Sequence, residues 1–259
     1  MQATAIVNYH LTSADAQAYH IDADGEPGKI ISPELVPTEV DVHDLRNPDV
    51  SASFLEDSVC IVHSPSKIHE FDGAESWKTT YDQELEDLLA REIGAKEVVV
   101  FDHTVRLDDP GSGRRPARNV HCDYSPAGAR QRLRDLVGEE VAAEWETGHF
   151  GFVNVWRPVK NVINSAPLGF VRPISVSPED WLEIRLIYPD RIGQIMGLVA
   201  NETHEWMYRS KMTPDEVAYF NIYDNRGLAS IAHSALDRVE DSSIQVPRMS
   251  IESRTLIRY

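Results

Sequence analysis

Three short segments of this 259-residue chain carry side chains able to share one metal ion and its ligands. The first is Val120-His121-Cys122-Asp123-Tyr124-Ser125. Two residues apart on an extended segment, an imidazole and a carboxylate point to the same face and can grip one cation. Alone, His-x-Asp is as much at home on a surface or in a turn. The second segment is Ser230-Ile231-Ala232-His233-Ser234-Ala235, where His233 sits among small and apolar residues, a setting that also suits a satisfied core histidine. The third is Arg248-Met249-Ser250, 15 residues after His233, where a guanidinium can hold a carboxylate bidentately with a serine hydroxyl assisting.

Together the three describe a mechanism. Two neutral imidazoles and one carboxylate on one face of an octahedron leave three open positions, the arrangement of non-haem iron(II) oxygenases. In such a site 2-oxoglutarate takes two positions and dioxygen the third. The far carboxylate of 2-oxoglutarate needs a cation, and an Arg on the strand after the second His is suited to supply it. Arg254 shares that strand face with Arg248, and Arg106 lies on a strand leading towards His121, so both are further candidates for binding the co-substrate. Two alternatives stand beside this reading. A zinc hydrolase or isomerase on a cupin-like barrel leaves Arg248-Met249-Ser250 without a role, and a non-catalytic ligand-binding barrel makes the His/Asp pair vestigial.

Candidates for the substrate side are Asn154, Trp156, Arg157, His103 and Tyr124. Asn154 and Trp156 fall on one face of a strand and can line a pocket, while Arg157 takes the other face and can anchor a carboxylate. Core packing is the plainer reading of Trp156, and also of the aromatic run Trp206-Met207-Tyr208. The remaining histidines, His10 among them, show no metal-binding spacing.

The elements that must position these residues are mostly short strands. Residues 4–10 read as a strand, and 15–36 as a polar surface excursion able to cover a pocket. Leu85, Leu88, Leu89 and Ile93 recur at helical spacing ahead of Gly94, which predicts an amphipathic helix with a glycine stop. A β-branched strand over 97–106 leads into a Gly/Pro/Arg-rich loop over 108–118, and the spacing over 127–145 predicts a helix buttressing the outside of a sheet. Further strands are expected near 151–157, 194–199, 204–208, 217–223 and 249–259, favouring an all-β jelly roll or barrel over alternating βαβ units.

With 42% hydrophobic residues and no repeat, the expectation is one unit over 1–259, its first 80 residues packing on the core as an N-terminal extension. The formal charge of -17 repels phosphate backbones and anionic lipid, so nucleic acid and membrane are excluded as expected partners and a small molecule is favoured. Two cysteines give no disulfide framework, and the start Met1-Gln2-Ala3-Thr4-Ala5-Ile6-Val7 lacks the pattern of a signal peptide, so a cytoplasmic location is expected.

Across most of its length the chain resembles the iron(II)/2-oxoglutarate-dependent hydroxylase and desaturase family of fungal and bacterial secondary metabolism, the AsaB/CmcJ-like group. The resemblance runs through Val42-His43-Asp44-Leu45-Arg46, Phe101-Asp102-His103-Thr104-Val105-Arg106, His121-Cys122-Asp123-Tyr124-Ser125, Asn154-Val155-Trp156-Arg157-Pro158, His204-Glu205-Trp206-Met207-Tyr208 and Ala232-His233-Ser234-Ala235. It ends in Arg248-Met249-Ser250-Ile251-Glu252-Ser253-Arg254, where the family usually has an acidic residue in place of Met249. The resemblance implies a mainly β fold with flanking helices, a double-stranded β-helix (jelly roll, cupin-like). It also implies Fe(II), 2-oxoglutarate and O2, with His121, Asp123 and His233 as iron ligands and Arg248 and Ser250 holding the co-substrate. The expected activity is hydroxylation, desaturation or oxidative cyclisation of a small biosynthetic intermediate, amino-acid-derived or other.

Overall fold

Residues 3–259 are described by a computed structural model. Strands alternate with few helices along the chain. The first third holds β1 (Ala3–His10), β2 (Gln17–Ile21), β3 (Ile30–Ile31), β4 (Leu35–Asp44), α1 (Phe54–Asp57), β5 (Val59–His63) and α2 (Lys78–Ile93). The middle holds β6 (Glu97–Leu107), β7 (His121–Cys122), α3 (Pro126–Val137), α4 (Glu139–Thr147), β8 (Phe150–Pro158) and β9 (Leu168–Val171). Then come β10 (Trp181–Ile187), β11 (Ile192–Leu198), β12 (Trp206–Tyr208), β13 (Glu216–Asp224), β14 (His233–Ala235) and β15 (Met249–Arg258).

The strands form two sheets, a ten-stranded one in the order β1-β4-β12-β9-β14-β7-β11-β10-β2-β3 and a five-stranded one in the order β5-β13-β8-β15-β6. Neighbours are largely antiparallel and distant in sequence, the crossing pattern of a jelly roll. Phe150, Phe152, Trp156, Phe170, Met207, Phe220 and Leu256 belong to the core cluster that fills the space between the sheets. The predicted amphipathic helix is α2, and Gly94 ends it in the left-handed conformation at φ 72, where a side chain would be strained. Its Tyr81, Leu85, Leu88 and Leu89 pack with Val153, Val155, Val217, Tyr219, Ile251 and Ile257, which covers the outer face of the smaller sheet.

Two expectations are revised. The helix predicted over 127–145 is a pair, broken where Gly138 turns to φ 82. Rather than buttressing a sheet from outside, Ala129, Leu133, Ala142 and Trp145 join Phe150, Phe152 and Leu256 in the core cluster between the sheets. Residues 15–36 are more than a surface excursion, because β2 pairs in parallel with β10 and so extends the large sheet. No helix of the described residues is long and apolar enough to cross a membrane.

Leu85 is fully buried on α2, on the far side of the smaller sheet from its core-facing side chains. Leu85→Ala is expected to cost about 2–5 kcal/mol through lost burial and the cavity left behind. Urea unfolding measures this, and the metal affinity of the folded fraction should stay unchanged.

Candidate functional site

Strand register, not sequence proximity, brings the two candidate histidines together. β14 and β7 are antiparallel neighbours, and His233 is the direct cross-strand partner of His121. Directly opposed residues share a sheet face with their Cβ atoms about 5 Å apart, and the two imidazole centroids lie 4.6 Å apart. Asp123 lies in the bend just after β7, since only His121 and Cys122 of this segment are in strand conformation. One ligand atom from each of His121, Asp123 and His233 lies within 4.8 Å of the others, and all three side chains are almost inaccessible.

What orients Asp123 comes from the other sheet. Asn154 on β8 and Arg254 on β15 are cross-strand partners, and both donate to Asp123 Oδ2, Asn154 Nδ2 at 2.8 Å and Arg254 Nε at 2.9 Å. The other oxygen, Oδ1, faces His121 Nε2 at 3.4 Å. His121 Nδ1 lies 2.8 Å from the Asn119 carbonyl, and His233 Nδ1 lies 3.4 Å from the Ile231 carbonyl. A proton on each Nδ1 satisfies those carbonyls and leaves both Nε2 lone pairs free for a metal.

The electrostatics fit a divalent cation. Burial pushes the Asp123 carboxyl up, but Arg254, then the His121 hydrogen bond and the two imidazoles, hold it well below the usual range. Burial, then the neighbouring His121, pushes His233 down to about 4. Arg254 also pairs with Asp102 and Glu252, each at 2.6 Å. Three carboxylates around one guanidinium leave two net negative charges beside two neutral imidazoles, which one divalent ion balances. Two imidazoles and one carboxylate are a donor set suited to Fe(II).

The remaining predicted residues divide by sheet face. On the smaller sheet Arg106, Ser250, Glu252 and Arg254 point inward with Asn154 and Trp156, following the β15 pairing with β6 and β8. Arg248 is buried, donates from Nη1 to the Ala166 carbonyl and from Nη2 to Ser250 Oγ at 3.1 Å, and stacks 5.1 Å from the Trp156 ring centroid. Its Nε has no hydrogen-bond partner among the described residues. Burial and then the Arg106 charge push the Arg248 guanidinium down to about 9. Arg106 Nη1 donates to the Arg115 carbonyl. Tyr124 packs on Phe152 at 5.0 Å, and burial pushes its hydroxyl up to about 12.

Arg157 and His103 lie away from this group. Arg157 donates to Tyr81 Oη and to the carbonyls of Ser64 and Pro214, beneath α2. His103 sits between Asp82 and Ser253 against the Trp77 ring. Sequence reasoning passed over Asp102 and Glu252, because one acidic residue among 42 carries no signal until the fold brings it to Arg254.

The fold is that of a jelly-roll oxygenase. A solved structure of the iron and alpha-ketoglutarate-dependent endoperoxidase NvfI superposes with a TM-score of 0.86 at 23% identity, covering 99% of this chain and 98% of that one. A family profile described as Oxidoreductase/YMDC permease-like domain matches residues 7–258. The chain is 32% identical to the hydroxylase/desaturase efuI of Hormonema carpetanum, over 83% of this chain and 82% of the relative. It is 30% identical to the alpha-ketoglutarate-dependent dioxygenase phiK of Fungal sp. (strain ATCC 74256), over 85% of this chain and 83% of the relative. The chain belongs to this family of Fe(II)/2-oxoglutarate-dependent oxygenases. It is an oxidoreductase using Fe(II), 2-oxoglutarate and dioxygen, so the hydrolase and non-catalytic alternatives fall away.

A pH dependence follows from the two most depressed histidines. His233 and His10 are both pushed down to about 4, chiefly by burial. An unfolded histidine takes up its proton near pH 6.5, whereas these stay neutral when folded, so stability is complete above that pH and is lost as pH falls towards 4. The metal-free protein is expected to lose roughly 1–2 kcal/mol per group between pH 7 and pH 5. Urea midpoints at the two pH values measure it, and equal midpoints would contradict neutral buried imidazoles.

Proposed function

We propose that His121, Asp123 and His233 hold the iron and that Arg248 with Ser250 binds the distal carboxylate of 2-oxoglutarate, for oxidation of a small biosynthetic intermediate. One observation carries the co-substrate assignment: Arg248 is a buried guanidinium whose hydrogen-bond and stacking partners are all neutral, with the Asp108 and Glu252 carboxylates acting on it without an ion pair. A buried cation without an anion is costly, and a carboxylate that joins it restores both charge balance and hydrogen bonding. Arg254, the rival within β15, has its charge taken up by Asp123, Asp102 and Glu252. Arg106 sits beside Ser250 in register and adds positive potential at the same end.

When bound, iron supplies the binding and reductive activation of dioxygen, coupled to decarboxylation of 2-oxoglutarate. The protein's own part is positional. Asn154 and Arg254 fix Asp123 Oδ2 so that Oδ1 faces the histidines, and the carbonyls of Asn119 and Ile231 fix both rings. Phe170, Phe220 and Trp156 surround the centre with apolar surface that excludes water. Asn154, Trp156 and Tyr124 are the substrate-side residues of this reading, while Arg157 and His103 support the sheet from outside. The whole of 1–259 works as one unit, and the free cysteines Cys60 and Cys122 suit a reducing cytoplasm.

Anaerobic titration with Fe(II) and 2-oxoglutarate should give a visible metal-to-ligand charge-transfer band. Asp123→Ala should abolish the band and turnover while the fold survives. Arg248→Ala should raise the 2-oxoglutarate requirement by about 30-fold or more, the loss of a buried charge contact, with iron affinity unchanged. An unaltered requirement in Arg248→Ala moves the role to Arg106, and absence of any band at full iron loading sinks the oxygenase mechanism.

A further inference from the structure

His121 has a second neighbour besides His233. On its other side β11 places Gly197 as its direct cross-strand partner, so His233, His121 and Gly197 form one row on one sheet face. Gly197 has no side chain, and another residue occupies its place. A Cβ on Gly197 would lie 2.6 Å from His10 Cδ2 and 3.0 Å from His10 Nε2. The His10 imidazole, from the end of β1, therefore stands beside His121 as a third ring in the row. It is 1% exposed, and its ring lies against the Gln17 side chain, whose hydrogen bond opposes the downward push of burial on the imidazole.

Two more side chains converge there. The Tyr19 ring meets His10 edge-on, with centroids 6.2 Å apart, and its buried hydroxyl is unpartnered. The Gln17 side chain gives its NH2 to the Leu11 carbonyl, which leaves its buried amide oxygen to face the His10 ring. Register places both on the sheet face of His121. Gln17 and Tyr19 pair with Ile184 and Leu186 of β10, and Leu182, two residues before Ile184, pairs with Gly197. The buried polar atoms of His10, Gln17 and Tyr19 thus lie together. Beyond the His10–Gln17 contact, the Tyr19 hydroxyl and the second His10 ring nitrogen have no partner among the described residues, a cost that a hydrogen-bonding ligand would remove.

Their chemistry and position narrow what that is. Imidazole, phenol and carboxamide together offer donors and acceptors, and no ion pair of the described residues involves His10, Gln17 or Tyr19. An ammonium or carboxylate buried here would lack a counter-ion. The group also lies away from the co-substrate anchor. Arg248 rests on the Ala166 carbonyl, just before β9 on the far side of β14, whereas His10, Gln17 and Tyr19 lie towards β11, β10 and β2.

We propose that His10, Gln17 and Tyr19 form the substrate-recognition wall of this active site, hydrogen-bonding an uncharged oxygen, a ketone or a hydroxyl, of the organic substrate beside His121. This rests on the reading of His121 as an iron ligand and gives it a substrate class: neutral oxygenated skeletons, not amino acids.

The test uses the full chain with 15N-labelled histidine, loaded with Zn(II) as a diamagnetic stand-in and with 2-oxoglutarate. The probes are cyclohexanone, cyclohexanol, methylcyclohexane and cyclohexanecarboxylate. His10 is assigned as the ring signal lost in His10→Phe. The ketone and the alcohol should shift it saturably, and the hydrocarbon and the carboxylate should not. Tyr19→Phe should weaken that response about tenfold, the loss of one hydrogen bond, with 2-oxoglutarate affinity within about twofold of the parent. A His10 signal unmoved by every probe, or moved equally by the carboxylate, overturns the proposal. The anaerobic Fe(II) and 2-oxoglutarate band separates the two readings. A band with a silent His10 sinks only the recognition wall, and a responsive His10 without a band sinks the iron assignment.

Discussion

The ion pair between Arg254 and Asp123 joins the smaller sheet to the end of β7 in the large one through two buried charges. A carboxylate with almost no exposure cannot stay ionised without compensation. Arg254 supplies it from the smaller sheet, and Asn154, its partner on β8, adds a second donor. Removing Arg254 leaves the Asp123 carboxylate buried without its cation, so the orientation of Asp123 depends on this contact between the sheets. Asp102 and Glu252 oversupply negative charge to Arg254, which makes the pocket a receptor for a cation rather than a closed salt bridge.

Around that contact the jelly roll converts distance in sequence into adjacency. His121 and His233 are far apart along the chain yet exact neighbours across one antiparallel ladder, because β14 and β7 lie side by side in the large sheet. The same ladder sets Gly197 next to His121 and opens room for His10. The row and the gap at Gly197 thus bring three imidazoles together, two in the cluster with Asp123 and one, His10, against Gln17.

Arg248 and Arg254 show how environment divides identical side chains. They stand six residues apart in the sequence, Arg248 just before β15 and Arg254 within it, but Arg254 is surrounded by three carboxylates and Arg248 contacts a carbonyl, a hydroxyl and an indole ring. The first orients the Asp123 carboxylate. The second has no directly paired carboxylate, and burial with Arg106 nearby lowers its pKa against the opposing pull of Asp108 and Glu252. Arg157 follows a third course, clamping carbonyls on the opposite face because β8 alternates sides residue by residue.

Much was legible in the sequence because it is local. The alternation of Asn154, Trp156 and Arg157, the helical spacing of Leu85, Leu88 and Leu89, the stop at Gly94 and the strand over 97–106 are properties of neighbouring residues, and all appear in the fold. So is the chemical type of the cluster, since His-x-Asp, a later His and Arg-x-Ser name their chemistry by residue type alone. The break at Gly138 escaped because a glycine within a helical pattern does not announce a positive φ. Which arginine is free, why Asp123 faces the histidines, and what His10 touches were decided only by tertiary structure. Each depends on strand pairing between segments as distant as residues 10 and 197, and long-range register is set by the packing of the whole core, which no local pattern encodes.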